Sequence, residues 1–106
     1  MIYLASPYSG TPEEQEDRYN ATKTFTLFHL KSNFPIFSPI VYGRQFESVM
    51  GGTLENWKSF NEAILGRATS LWVLRLPGWD KSRGVLHEIK LYQFLFPHAI
   101  RMVDPL

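Results

Sequence analysis

Four short apolar runs punctuate this chain, and each interval between them carries helix-like spacing. The runs are Ile2 to Ala5, Pro35 to Val41, Leu71 to Leu74 and Ala99 to Val103. Read as strands, they give the order β-α-β-α-β-α-β, with connections long enough for parallel pairing. Leu71-Trp72-Val73-Leu74 has no polar interruption, as expected of a strand covered on both faces of its sheet. Right-handed crossovers then place helices on each side. At 106 residues the chain has the length of one domain, spanning residues 1–106. The expected class is α/β: a small doubly wound parallel sheet of four to five strands with three helices.

The punctuation between the runs is specific. Ser6-Pro7-Tyr8-Ser9-Gly10 ends the first strand. Thr11-Pro12-Glu13-Glu14 reads as a capping box with proline at the first helical position, opening a helix to about Ser32, with Asn33 as its stop. The prolines within Pro35 to Val41 limit that strand to a few paired residues. Tyr42 to Gly52 reads as a loop, and Thr53 as the N-cap of a second helix whose face carries Trp57, Phe60, Ile64 and Ala68. Leu76 to Ser82 is a loop, and Gly84 to Phe96 is a third helix, stopped by Pro97. Strands alternating with helices in this way predict a flavodoxin-like sheet.

Composition removes several classes of function. With 11 basic and 10 acidic residues, net charge is +1, which offers no electrostatic reason to bind a nucleic acid polymer or a membrane surface. No apolar run approaches the ~18 residues of a membrane span. The first residues, Met1-Ile2-Tyr3-Leu4-Ala5-Ser6, lack the basic region of a signal peptide. Cysteine is absent, so disulfide and thiolate chemistry are excluded. A cytoplasmic setting is the expectation. His29, His87 and His98 are dispersed without metal-ligand spacing, so no metal is expected. There is no G-x-S-x-G elbow, dinucleotide fingerprint or P-loop, and no cofactor is expected.

Ligands of an open parallel sheet bind beyond the carboxyl ends of its strands. The loops that qualify carry Ser6, Tyr8 and Ser9, then Tyr42 and Arg44, then Trp79, Asp80 and Ser82. Glu88 stands out among the charged residues. Val85 precedes it by three positions and Tyr92 follows it by four, so it borders the apolar face of the third helix. A carboxylate there is costly unless paired, hydrated or used. Two readings stay open: Glu88 reaches water or pairs with Arg83 or Lys90, or it faces a bound ligand. Ser82 likewise either caps the helix or, with the amides of Arg83 and Gly84, meets a phosphate or sugar hydroxyl, and the two roles are compatible. Gly84 permits close backbone approach.

Taken together, Ile2-Tyr3-Leu4-Ala5-Ser6-Pro7-Tyr8-Ser9, Phe37-Ser38-Pro39-Ile40, and Leu76-Pro77-Gly78-Trp79-Asp80-Lys81-Ser82-Arg83-Gly84-Val85 with Glu88 resemble the nucleoside 2-deoxyribosyltransferase-like superfamily, which includes 2'-deoxynucleoside 5'-monophosphate N-glycosidases. The likeness covers essentially the whole chain and is nearest to small phage and bacterial members. It implies cleavage or transfer of the bond between a nucleobase and its sugar, through a covalent glycosyl-enzyme on Glu88. Tyr3 matches a tyrosine near the nucleophile, and Ser82 a small polar residue at the sugar or its 5' end. Asn61 stands where the family often has an aspartate that positions the sugar or protonates the base. Glu62 is its neighbour, but about 100° away around the helix. An asparagine is not an acid, so a non-catalytic nucleotide-binding module is the alternative, unless Asp80 substitutes. The first loop lacks the arginine of the monophosphate glycosidases, leaving phosphate to serine hydroxyls, backbone amides, Arg18 or Arg44. The implied partner is a small-molecule nucleoside or nucleotide. A homo-oligomer, dimer or larger, is also implied, burying part of the surplus Phe34, Phe37, Phe46, Phe94 and Phe96.

Overall fold

The structure, a computed structural model, describes residues 1–47 and 54–106, with backbone alone at 54–56. Strand β1 (Ile2–Ala5) is followed by α1 (Pro12–Lys31), β2 (Ile36–Phe37), α2 (Pro39–Arg44), α3 (Leu54–Leu65), β3 (Ser70–Leu74), a 3-10 turn (Trp79–Lys81), α4 (Arg83–Leu95) and β4 (Ile100–Val103). The four strands form one parallel sheet in the order β2-β1-β3-β4. This is the α/β architecture expected, with a flavodoxin-like strand order.

Alternation along the strands builds two cores. Tyr3 and Ala5 of β1, with Leu71 and Val73 of β3, face Leu65, Val85 and Tyr92 of α3 and α4. Ile2 and Leu4, with Leu74, face Phe25 of α1. Trp72, on that second face, meets His29, Phe25 and Phe34 edge-on or tilted. The chain leaves β1 toward β2 and later crosses back past β1 to β3, so crossovers of one hand must lie on opposite faces.

Local signals fix most boundaries. Thr11 Oγ1 accepts from the Glu14 amide at 3.2 Å, and Glu14 Oε1 accepts from the Thr11 amide at 3.1 Å, completing the capping box. Hydrogen bonding to Thr11, from its amide first, holds the Glu14 carboxyl below its ordinary pKa. Asn33 takes a left-handed φ of 65° just past α1. Ser82 caps α4, its Oγ accepting from Val85 N at 3.3 Å.

Two expectations are corrected. The second strand stops at Phe37, because Ser38 caps a further helix, its Oγ accepting from Val41 N at 3.2 Å, with Pro39 at the first helical position. Pro39–Arg44 is therefore helix, where strand and loop were expected, and four α-helices are seen among the described residues where three were expected. The N-cap expected at Thr53 lies outside the described residues.

Tyr92 anchors α4 to the end of α3. It is fully buried, and its hydroxyl donates to the Ala68 carbonyl at 2.9 Å. Tyr92→Phe leaves that acceptor unpaired in the core and is expected to lower unfolding free energy by about 1–3 kcal/mol, measured by urea titration.

Candidate functional site

The topology reverses between β1 and β3, since the connections from these neighbouring strands run to opposite sides of the sheet. Such a switch point opens a crevice at the carboxyl ends of the strands. A cavity of about 470 Å³ occupies it. Ser6, Tyr8 and Ser9 come from the loop after β1, Pro39 and Ile40 from α2, and Ser82, Arg83, Gly84, His87 and Glu88 from the start of α4. Helix α3 forms the remaining wall, with Trp57, Asn61 and Leu65 at intervals of four and Lys58 and Glu62 beside them.

Glu88 lies in this cavity against the sheet. The hydroxyl of Tyr3, a residue with no exposed surface, donates to Glu88 Oε2. Burial pushes the Glu88 carboxyl up from 4.5 to about 7, against the lowering effect of that hydrogen bond. Tyr3 is driven far upward, first by burial, then by the charge of Glu88 and their hydrogen bond, and last by the charge of Glu62. Tyr3 is thus a fixed donor and Glu88 an acceptor poised near neutrality. No ion pair between Glu88 and Arg83 or Lys90 forms among the described residues, so pairing with those cations does not account for its position.

Two further polar atoms at the cavity are unpaired. Ser6 Oγ and Asn61 Oδ1 are buried without a hydrogen-bond partner among the described residues. Such groups are costly unless something satisfies them. At Gly84 an added Cβ would meet no protein atom within 4 Å, so the helix start is open to close approach.

The cavity brings together Tyr3, Ser6, Tyr8, Ser9, Asn61, Ser82, Gly84 and Glu88. It does not include Tyr42, Trp79 or Asp80. Tyr42 packs into an aromatic cluster, its ring stacked on Phe60 at 5.6 Å and tilted against Phe37 at 5.7 Å. Trp79 packs on the core beneath α4, and the 3-10 turn leaves Asp80 exposed. Gly78, at φ 88°, enters that turn, and Arg18 bridges it to the first loop through the Pro77 and Ser9 carbonyls. Arg44 is held by Glu16 and lies 4.2 Å from the centre of the Tyr19 ring. Neither arginine lines the cavity; its cations are Lys58 and Arg83.

Sequence reasoning favours the core for Trp57, turns Glu62 away from the site and does not single out His87, yet all three line the cavity. Glu62 Oε1 and His87 Nε2 are 2.8 Å apart, joining α3 to α4 at the cavity. The signal was present: Trp57 and Asn61 are four apart, as are Lys58 and Glu62, and His87 adjoins Glu88. No group of three or more metal-ligating side chains suited to an ion occurs among the described residues. No described helix is long and apolar enough to cross a membrane.

A family model described as a domain of unknown function (DUF1937) matches residues 1–97, which takes in every lining residue of the cavity. No curated protein matches the chain.

Proposed function

The chain belongs to the DUF1937 family, whose description assigns no activity, and we propose from the cavity that it cleaves or transfers the N-glycosidic bond of a nucleoside or nucleotide, with Glu88 as nucleophile. The observation that carries the reading is the Tyr3–Glu88 pair: a carboxylate held by a buried hydroxyl in a cavity large enough for a small ligand. A carboxylate so held suits the nucleophile of retaining glycosyl transfer. A Glu88 oxygen attacks the anomeric carbon, the bond to the base breaks, and water or a second base displaces the glycosyl group from Glu88. Tyr3 holds the carboxylate in one orientation and favours its ionised form. Ser6, Ser9, Ser82 and the open helix start at Gly84 suit the sugar hydroxyls and its 5' end. Tyr8 and Trp57 offer rings to a planar base. The likeness to the nucleoside 2-deoxyribosyltransferase-like superfamily supports the same chemistry.

A panel of nucleosides and their 5'-monophosphates, assayed by chromatography for free base, tests the proposal. Release of base from at least one is expected, and silence across the panel overturns it. Asn61 favours a second reading, a module that binds nucleotides without cleaving them, because an amide cannot act as an acid. Saturable binding by calorimetry with no free base would establish that alternative.

Tyr3→Phe removes the donor that favours ionised Glu88. The acid limb of the pH–rate profile is expected to move to higher pH, and kcat at pH 6 to fall at least about tenfold. A limb that stays in place would separate Tyr3 from the reaction.

We also propose a homo-oligomer, for a narrower reason than aromatic content. Phe37 and Phe46 are consumed within the chain by the cluster around Tyr42 and Trp57. Phe94, at 86% exposed, remains on the outer side of α4, beside exposed Leu95 and Phe96. Light scattering at micromolar concentration is expected to report a dimer or larger, and a monomer would count against it.

A further inference from the structure

Leaving bases need a proton, and the asparagine on α3 cannot give one. The remaining cavity lining holds an acid that can. Glu62 follows Asn61 on α3 and lines the same cavity as Glu88, which stands on α4. The two carboxylates therefore come from two different helices that line one cleft. Glu62 Oε1 lies 2.8 Å from His87 Nε2, a hydrogen-bonding distance between a carboxyl group and an imidazole, the side-chain type that enzymes most often use to move protons. The pair sits partly open to solvent, with side-chain exposures of 39% for Glu62 and 44% for His87, so water reaches it. The charge of Glu62 is felt at Tyr3, which places it within electrostatic reach of the reacting end. Arg83 is no proton donor at neutral pH, and Lys58, like Arg83, has no described partner that would relay a proton to it.

We propose that Glu62, carrying the proton it shares with His87, is the acid that protonates the departing base, with His87 as its positioning residue. The assignment rests on the N-glycosidic reading of the cavity. In the first step a lone pair of a Glu88 oxygen forms the bond to C1' while the C1'–N bond breaks and its electron pair goes to the base. The proton shared by Glu62 and His87 passes to that base, leaving a carboxylate and a neutral imidazole. In the second step water attacks C1', Glu88 departs as carboxylate, and the water's proton returns to the Glu62–His87 pair. The products are free base and free sugar, and the enzyme ends as it began. Asn61, whose Oδ1 has no partner among the described residues, can then accept from the sugar or the base.

The test compares a base that needs the proton with one that leaves without it. Release of guanine from 2'-deoxyguanosine and of 7-methylguanine from 7-methyl-2'-deoxyguanosine, each also as the 5'-monophosphate, is timed for the parent, Glu62→Gln, His87→Gln and Glu88→Gln. Glu62→Gln is expected to lose about 10²-fold or more on the unmethylated substrate and less than about tenfold on the methylated one. His87→Gln should show the same selectivity at smaller size, whereas Glu88→Gln should lose both substrates alike. Thermal melts confirm that each variant folds. Equal losses on both substrates for Glu62→Gln would overturn the acid while leaving the glycosidase intact. A parent that releases no base from these substrates or from the wider nucleoside and 5'-monophosphate panel would overturn the glycosidase and the acid together.

Discussion

Glu88→Gln is expected to abolish release of base from every substrate the parent accepts, by more than about 10³-fold, while the chain stays folded. The substitution keeps the size of the side chain and leaves an oxygen to accept from Tyr3. What it removes is the negative charge that attacks the anomeric carbon and then leaves it. A residual rate within tenfold of the parent would mean that Glu88 is not the nucleophile, whatever else the cavity does. Mass spectrometry of acid-quenched reactions adds an independent check. The parent should carry a glycosyl adduct on the peptide containing Glu88, and the variant none.

The same substitution should make the protein more stable in mildly basic solution. Burial raises the Glu88 carboxyl from 4.5 in the unfolded chain to about 7 in the fold. Between those values the folded state holds a proton that the unfolded state has released, so stability falls as pH rises through this window. Above about pH 7 the full cost of the desolvated charge remains. Below about pH 4.5 both states are protonated and the cost vanishes. Glu88→Gln carries no such charge, so at pH 8 it should exceed the parent in unfolding free energy by about 1–3 kcal/mol. At pH 4 the two should be nearly equal. Urea titrations at both values measure the difference. Parallel pH dependences would show that Glu88 is solvated and that its environment is not set up for nucleophilic work. Both results together would locate a trade of stability for reactivity at one side chain.

The fold was legible because its signals are short-range. Thr11-Pro12-Glu13-Glu14 announces a helix start, and it forms one with both capping bonds in place. Ser38-Pro39 carries the same kind of signal. It was outweighed by the apolar run around it, and the result was a strand drawn too long and a missed α2. Polar loop residues were harder. Tyr8 and Ser9 reach the cavity, while Tyr42 turns to Phe60 and Asp80 to solvent. Nothing in the spacing separates Tyr8 and Ser9 from Asp80, because loops and short turns have no period from which a direction can be read, and Tyr42 is directed by α2, a helix the sequence reading takes for strand and loop.

Sequence by itself determined the alternation of strands and helices that makes a small doubly wound parallel sheet, and it put Glu88 on the inner edge of α4, since helical spacing ties it to Val85 and Tyr92. Only the tertiary structure decided what faces Glu88. The roll of α3 against α4 admits two adjacent residues, Asn61 and Glu62, to one cleft, although about 100° separates them around the helix. It also brings Glu62 within hydrogen-bonding reach of His87, 25 residues away in the chain. Helical period fixes angles within a helix; the rotation of one helix on another comes from packing across the whole core, which no local pattern encodes.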